Sequence, residues 1–403
     1  MIGLMDNIKN MKNINEDAQK TLDDILSKDL KKFGLKNKEN IIINNSFSKH
    51  ILDNDNIDFN INSDIEDCIK VVMINGSLSK KLSDSIPDNY HIIPLDSSIQ
   101  KKISKIASSD TNPIIANNTA NFENGIYIES TGECEYPIYL INYLFNEDKE
   151  SVVYPRIFVQ CNEDSQIKII EHNISCNNSN LFNNYVTEIN CEQNSNLEYY
   201  LVQNPGANLI ISGNISLDIQ KTSNVKITSC TIGGEFIRNY ISCKLSGEYS
   251  SLILDGIFLG KNKECIDNDT IIYHNAPYST SSEKYKGILN DKSQGSFNGL
   301  VYVSKNSHGV DSNQYNNNIL LSKDAKINSN PQLEIYCDDV QCAHGSTIGE
   351  LDEDAILYLR SRGISLNDSR NILLNGFINE VVNKVSIPSL KFFLINRIRD
   401  WME

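Results

Sequence analysis

Near the carboxy-terminal end of the sequence, two neighbouring residues carry side chains that bind transition metals. Cys342 and His344 are separated by one residue in the stretch VQCAHGST. In an extended strand this spacing puts both side chains on one face, with Cα atoms roughly 6.6 Å apart. A thiolate and an imidazole are ligands for zinc or iron, but two ligands leave a tetrahedral site incomplete. The pattern predicts a labile metal site, or one that a second chain completes. The alternative is a buried structural cysteine beside a hydrogen-bonded histidine.

The other candidate residues do not form a catalytic set. Cys337 lies five positions before the first metal-capable residue, which would place it on the opposite face of an unbroken strand. Asp338 and Asp339 are adjacent and would face opposite sides, so we predict turn or edge residues. His172 and His274 are lone histidines for which local hydrogen bonds are expected. The sequence also lacks the GxxxxGK[ST], GxGxxG, GxSxG and CxxC motifs.

A helical segment follows the metal-capable stretch directly. Asp352 is a good N-cap, Leu351 is placed to pack on Ile356, and Gly363 suits the end of the helix. Two further helices are predicted, the first from a capping box at Ser365 and the second from Pro388. Their predicted apolar stripes are Ile372, Leu373, Phe377, Val381 and Val385, and then Leu390, Phe393, Leu394, Ile398 and Trp401.

The region between about residues 110 and 344 shows period-two alternation and no helical period. Short runs such as SQIKIIEHNIS and NLIISGNISLDI are separated by polar turns, which is typical of strands. A sandwich, a barrel and a β-solenoid are all compatible with this pattern. The scarcity of tight Asn-Gly or Asp-Gly hairpin turns favours the solenoid. Before it, residues Asn15 to Phe33 read as an amphipathic helix. We therefore predict an amino-terminal helical or α+β region over 1–105, a β-helix core over 106–344 and a carboxy-terminal helical domain over 345–403.

Composition excludes several classes of partner. The chain has 403 residues, a formal net charge of −15 and a pI near 4.9, so its surface repels phosphate backbones and nucleic acid is not expected. No window reaches the 18 or more apolar residues typical of a membrane span, and the amino terminus lacks a continuous apolar signal region. We expect a cytoplasmic protein whose 10 cysteines are free thiols.

The stretch PQLEIYCDDVQCAHGSTIGELDEDAILYLRSRGIS resembles the carboxy-terminal signature of SufD proteins, one branch of the SufB/SufD family that assembles iron-sulfur clusters in the SUF system. Upstream, YKGILNDKSQGSFNGLVYV and NNNILLSKDAKINSNPQLEIY are similar to the last β-helical coils of that family. The SufB branch carries an EHEAT-type segment and a CLQRG helix ending, where this chain has CAHGST and LRSRG. The similarity is strong over about residues 270–385 and diffuse over 130–270.

The resemblance implies a right-handed parallel β-helix flanked by an amino-terminal helical or α+β domain and a carboxy-terminal helical domain. It implies a heterodimer with SufB through the end of the β-helix, and an ATPase, SufC, bound by the carboxy-terminal helices. His344 matches the family histidine at the heterodimer interface, and Cys342 matches its neighbour. Cys337 departs from the family, where a small residue is expected. The implied partner-binding residues are Leu351, Asp352, Leu357, Leu359, Arg360 and Arg362.

Together these observations predict a non-catalytic scaffold subunit. The iron-sulfur cluster would assemble transiently with SufB, a flavin is implied as a cofactor of the complex, and the isolated chain would bind neither tightly. A homodimer of the isolated chain is left open. The alternatives are a polysaccharide-active β-helix enzyme, which would need clustered Asp or Arg on one solenoid face, and a structural solenoid or adhesin.

Overall fold

The computed structural model describes residues 19–20, 48–49, 65–95, 99, 102–110, 112–145, 151–175, 181–205 and 209–403. The strands are β1 (Ser48–Lys49), β2 (Ile69–Ile74), β3 (Ser77–Leu78), β4 (Tyr90–Pro94), β5 (Gly125–Ser130), β6 (Ile138–Leu144), β7 (Ser151–Val153), β8 (Arg156–Cys161), β9 (Gln166–Ser175), β10 (Leu181–Cys191), β11 (Asn196–Gln203), β12 (Leu209–Ile219), β13 (Asn224–Ile232), β14 (Phe236–Leu245), β15 (Ser251–Gly260), β16 (Cys265–His274), β17 (Thr280–Leu289), β18 (Gln294–Val303), β19 (Val310–Leu320), β20 (Lys326–Ile335) and β21 (Val340–Gly349). The helices are α1 (Pro113–Asn121), α2 (Glu353–Ser361), α3 (Leu366–Val382) and α4 (Pro388–Met402). The helix predicted over Asn15 to Phe33 lies outside the described residues, apart from Gln19 and Lys20, which are helical.

Alternate strands enter two different sheets, and this alternation builds a parallel β-helix. Sheet A has the order β20-β18-β16-β14-β12-β10-β8-β5-β4, and sheet B has the order β21-β19-β17-β15-β13-β11-β9-β6-β2-β3. Among the described strands only β3 and β4 pair antiparallel with their neighbours. Side chains that bond between adjacent coils include Asn196 with Asn224, 28 residues apart, and Glu283 with Gln314, 31 residues apart. The mainly β fold with a parallel β-helix is confirmed.

The strand alternation fills the space between the two sheets. In β13, Val225 and Ile227 point inward and are almost fully buried, as period-two patterning requires. The interior also holds polar side chains that bond from coil to coil. Asn142 donates to Asn173 over 2.8 Å, and Thr231 donates to Gln203 over 3.0 Å. Such pairing compensates these groups for the loss of water.

One helix contradicts the prediction that the region from 110 to 344 has no helical segment. Helix α1 begins after Asn112, whose side chain accepts from the Ile114 N–H, and Pro113 occupies its first turn. Its apolar residues show little helical period, because the helix is buried on most sides. Its Asn118 side chain also donates to two backbone carbonyls of the solenoid. Periodicity therefore missed a helix that its capping residues mark.

A buried ion pair fixes the segment before this helix. The Arg156 and Glu188 side chains are 2.5 Å apart and almost completely enclosed. Glu188 also accepts from the backbone N–H groups of Ser104, Ile106 and Ala107, and Arg156 donates to Asn118. The three backbone bonds to this buried carboxylate hold residues 104–107 against the first coils.

The carboxy-terminal helices cover the outer face of sheet B. A second apolar cluster joins outward residues of that sheet, such as Ile170 and Ile257, to residues of α3 and α4. The apolar stripe predicted for the last helix is confirmed, since its five residues are buried. The stripe predicted for α3 is partly wrong: Leu374 and Ile378 are buried there, whereas Ile372 is exposed. The docking face is displaced because α3 packs against both the sheet and α4.

Charged contacts flank this apolar layer. Glu380 of α3 pairs with both Lys284 and Lys286 of β17. Lys384 bonds to the buried carboxylate of Asp255 at 3.0 Å. The helices are therefore attached by specific ionic contacts as well as by apolar packing. The domain boundaries at residues 105 and 344 stay predictions.

Candidate functional site

The last coil leaves one end of the β-helix uncovered. Strands β20 and β21 stand at the ends of their sheet orders, so each pairs with a strand on one side only among the described residues. The inner faces of the preceding coils are buried, but inward positions of β20 and β21 are exposed or half-buried. Strand β20 contains Pro331, which has no N–H to donate, whereas the 10 residues of β21 contain no proline. Strand β21 therefore offers the more complete edge for pairing with another chain.

Cys342 and His344 lie on the inner face of this terminal strand. They are in register with Ser312 and Gln314 of β19, which are both buried in the interior. Cys342 is half-buried against the core, and His344 is exposed. Burial raises the pKa of the Cys342 thiol, and the charge of Asp311 raises it further. The isolated chain therefore holds this thiol protonated, and a metal would have to displace the proton on binding.

Cys337 does not lie where the sequence predicted. The prediction assumed one unbroken strand, but β20 ends at Ile335 and β21 begins at Val340, so Cys337 belongs to the turn between them. Its side chain packs against the same apolar core as Cys342. Its sulfur is 3.9 Å from Nδ1 of His308 on the preceding coil. Asp338 and Asp339 are turn residues, as predicted.

The surroundings of the terminal strand are polar. Ser346 and Ser329 hydroxyls are 2.7 Å apart and join the inner faces of β21 and β20. Gln314 donates from Nε2 to Oε2 of Glu283 over 2.7 Å, one coil further inside. Burial raises the pKa of Glu283 to about 7. No cluster of three or more His, Cys, Asp or Glu side chains with metal-binding geometry occurs among the described residues.

The two lone histidines have the local partners that the sequence led us to expect. His172 Nδ1 is 2.8 Å from the Tyr139 hydroxyl, and the ring packs against Phe393 of α4. His274 has a serine hydroxyl 2.8 Å from each ring nitrogen, from Ser279 and Ser281. Burial lowers the pKa of His172 to about 3 and that of His274 to about 4. Both are structural histidines.

Helix α2 presents the second candidate surface. Asp352 caps it as predicted, accepting from the N–H groups of Asp354 and Ala355. Leu357 is 65% exposed, whereas Leu359 is half-buried. The remaining predicted partner-binding residues are accessible to different extents: Leu351 is half-buried, and Arg360 and Arg362 are exposed.

Sequence reasoning missed part of this surface. Tyr358 is exposed beside Leu357, with the Arg362 guanidinium 5.2 Å from its ring centre. Phe392 and Ile395 of α4 are also exposed, Phe392 to 67%. The sequence signal for these residues was an apolar side chain at a helix position that the apolar stripe does not include. We use the name helical-layer surface for these exposed apolar residues, which are Leu357 and Tyr358 of α2 and Phe392 and Ile395 of α4.

A cleft of about 710 Å³ separates the end of the solenoid from α2, α3 and the end of α4. Lys323, Arg370 and Glu353 contribute charged groups to it, and Leu351 and Ile356 line the same cleft. None of its lining residues is aromatic, so it offers no ring to stack on an isoalloxazine. The flavin stays a prediction. No helix in the described part of the chain is long and apolar enough to cross a membrane.

The structure is a parallel β-helix with one uncovered end, a cysteine and a histidine on the inner face of its terminal strand, and a docked helical layer. Residues 143–377 match the family model described as SUF system FeS cluster assembly, SufBD core domain. The chain belongs to this family, and the family recognised from its carboxy-terminal sequence is thereby confirmed.

Individual relatives agree with this assignment. The chain is 32% identical over 238 residues to the iron-sulfur cluster assembly protein SufD of Escherichia coli, covering 59% of this chain and 56% of the relative. It is 26% identical over 294 residues to an iron-sulfur cluster assembly SufBD family protein of Synechocystis, covering 70% and 65%. It is 29% identical over 268 residues to the chloroplastic protein ABCI7 of Arabidopsis thaliana, covering 64% and 56%. The matched segments thus span less than two thirds of the relatives' own lengths.

Proposed function

We propose that the chain is a non-catalytic scaffold subunit of the SUF iron-sulfur cluster assembly complex. The observation that carries this proposal is the uncovered β21 edge with Cys342 and His344 on its inner face, in a chain of the SufBD core family. Two ligands cannot complete a tetrahedral iron site, so the remaining ligands come from a second chain. The cluster is cargo that passes through the complex.

The proposed second chain is SufB, which pairs with the solenoid end. A strand of 10 residues with one unpaired edge presents backbone donors and acceptors that a strand of another chain can satisfy. A partner that covers this end would also bury His344 and lower the dielectric around the metal. A homodimer of the isolated chain would use the same edge.

The proposed binding site for the ATPase SufC is the helical-layer surface. Its exposed Leu357, Tyr358 and Phe392 side chains present apolar area that a partner would remove from water. The helical layer packs on sheet B, whose last strand is β21. Movement of the helices driven by nucleotide would therefore act on the strand that carries the metal ligands.

The experiment is co-expression with SufB and SufC, followed by size exclusion and iron analysis of the purified complex. Leu357→Asp should remove SufC and retain SufB, since its side chain is exposed and its loss leaves the fold intact. Tyr249→Asp is the matched control, because Tyr249 is similarly exposed but lies on a corner of the solenoid. Retention of SufC at full stoichiometry by Leu357→Asp, in a variant that folds normally, would refute the assignment of this surface.

A further inference from the structure

Gln314 occupies an unusual position in the column of residues behind His344. In consecutive coils of sheet B, Glu283, Gln314 and His344 are directly in register. Gln314 is fully buried, and its Nε2 donates to Glu283. Its Oε1 is enclosed and has no hydrogen-bond partner among the described residues. A buried carbonyl oxygen without a donor destabilises the fold, so an N–H group that reaches this atom would be a favourable partner.

The in-register neighbour on the uncovered side of Gln314 is His344. Adjacent strands are about 4.8 Å apart, so in-register inward side chains of β19 and β21 are within reach of each other. In a neutral imidazole one ring nitrogen carries a proton and the other carries a lone pair. An acceptor that binds the N–H of one nitrogen therefore leaves the lone pair on the other nitrogen. Gln314 can therefore set the tautomer of His344.

Glu283 fixes the direction of the Gln314 amide. In the structure the Nε2 end of the amide faces Glu283, which leaves the Oε1 end on the opposite side, toward β21. Above pH 7 the Glu283 carboxyl is ionised and only accepts, so it holds the amide in this direction. The enclosing side chains leave little freedom to reverse this arrangement, since both Glu283 and Gln314 are fully buried.

We propose that Gln314 is a positioning residue for His344, holding its ring through Oε1 while Glu283 anchors the amide. One ring nitrogen then donates to Gln314, and the other presents its lone pair to the metal. Residues that orient a ligating histidine in this way raise the precision and basicity of the ligand. The inference rests on the proposed function for the identity of the metal site, but the ring orientation can be measured without any metal.

The test is nitrogen-15 NMR of the full chain labelled at histidine. The chain contains 6 histidines, and His344→Ala identifies the His344 signals. At pH 8 an ordinary imidazole is neutral, so the two ring nitrogen shifts report its tautomer. We expect one tautomer to dominate in the wild type, and Gln314→Met to move the shifts toward the average of a freely exchanging ring. Gln341→Met is the matched control, because Gln341 is exposed on the same strand as His344.

A second variant protects the test against misfolding. Gln314→Met leaves Glu283 without its donor, so Glu283→Leu combined with Gln314→Met replaces both polar partners by apolar groups. Leu254 precedes Glu283 in the same column, which shows that the interior accepts leucine there. The double variant should give the same freely exchanging ring. Unchanged His344 shifts in either folded variant would overturn the proposal.

Cluster assembly separates this proposal from the proposed function. In the complex with SufB and SufC, Gln314→Met should lower the cluster yield about 10-fold or more, while Gln341→Met should not. If His344→Ala leaves the yield unchanged, the metal role of His344 is wrong, and the tautomer shift still supports the positioning role. If Gln314→Met lowers the yield without moving the His344 shifts, Gln314 acts on the fold and the positioning role is overturned.

Discussion

Glu283→Gln should remove a specific part of the pH dependence of stability. Glu283 is fully buried, and burial raises its pKa from an ordinary 4.5 to about 7. Between these two values the folded state holds a proton that the unfolded state has released. Because the folded state then binds more protons, the free energy of unfolding falls as the pH rises through this window. A glutamine cannot ionise, so the variant loses this dependence.

The magnitude follows from the two pKa values. Each unit of difference corresponds to about 1.4 kcal/mol, so ionising this buried carboxyl destabilises the fold by about 3 kcal/mol once the pH is above about 7. Glutamine retains an oxygen that accepts from Gln314 and has almost the same volume. At pH 8 the variant should therefore be up to about 3 kcal/mol more stable than the wild type, and at pH 4.5 the two should agree within about 1 kcal/mol.

The assay is urea denaturation of the full chain at pH 4.5, 6 and 8, followed by circular dichroism. Glu334→Gln is the control, because Glu334 is an exposed carboxylate on β20 and its neutralisation should change stability little at any pH. A wild type that is more stable than Glu283→Gln at pH 8 would refute the reasoning, since the ionised carboxylate would then be a net stabilising group. Glu171, also fully buried with a pKa raised by burial, should leave a residual pH dependence in the variant.

Four further outcomes are expected. His344→Ala should abolish cluster formation in the complex without lowering the melting temperature of the isolated chain, because its side chain is exposed; a large fall in that temperature would favour the structural interpretation. Cys342→Ala and Cys337→Ala should each lower the melting temperature slightly, since both side chains pack against the core, and unchanged melting curves would contradict that packing. Gly256→Ala should destabilise the chain by about 1–3 kcal/mol in urea denaturation, since the added Cβ would lie 2.2 Å from the Tyr285 ring. Gly349→Ala is the control, because the space around Gly349 is open. Hydrogen bonds from Lys284 and Lys286 lower the pKa of Glu380 to about 2, so the contribution of these ion pairs is present above pH 4.5 and is lost as the pH falls toward 2. Hydrogen exchange in α3 should rise in that range, and less so in Glu380→Gln.

The sequence was sufficient to predict the strands and the carboxy-terminal helices, which follow local patterns. Alternation located the strands, and the caps at Asp352 and Ser365 located the helices. The length of the coils could not be predicted from the sequence because it is not constant. Bonded side chains on neighbouring coils are 28 residues apart in one pair and 31 in another, so the sequence has no fixed repeat. Parallel pairing depends on contacts distant in sequence, which no local pattern contains.

The candidate site was predictable only in part, for the same reason. The spacing of Cys342 and His344 determines their common face once both lie in one strand. The position of Cys337 was not predictable, because it lies in the turn between β20 and β21 and not in an unbroken strand. An irregular turn has no periodic pattern in the sequence. Gln314 and Glu283 lie 30 and 61 positions before His344, and only the stacking of coils brings them into one column.

The two ends of the β-helix differ in a way that limits the size of any assembly. At the end opposite to β21, the sheets finish in β3, which has two residues, and in β4, which contains Pro94, and both run antiparallel to their neighbours. Short, reversed and proline-bearing strands are poor templates for further pairing. A solenoid with two equivalent edges would join head to tail into fibres without limit. With a single competent edge among the described strands, association through the ends of the β-helix terminates after one partner strand has bound, so end-to-end pairing is expected to give discrete pairs and no polymers.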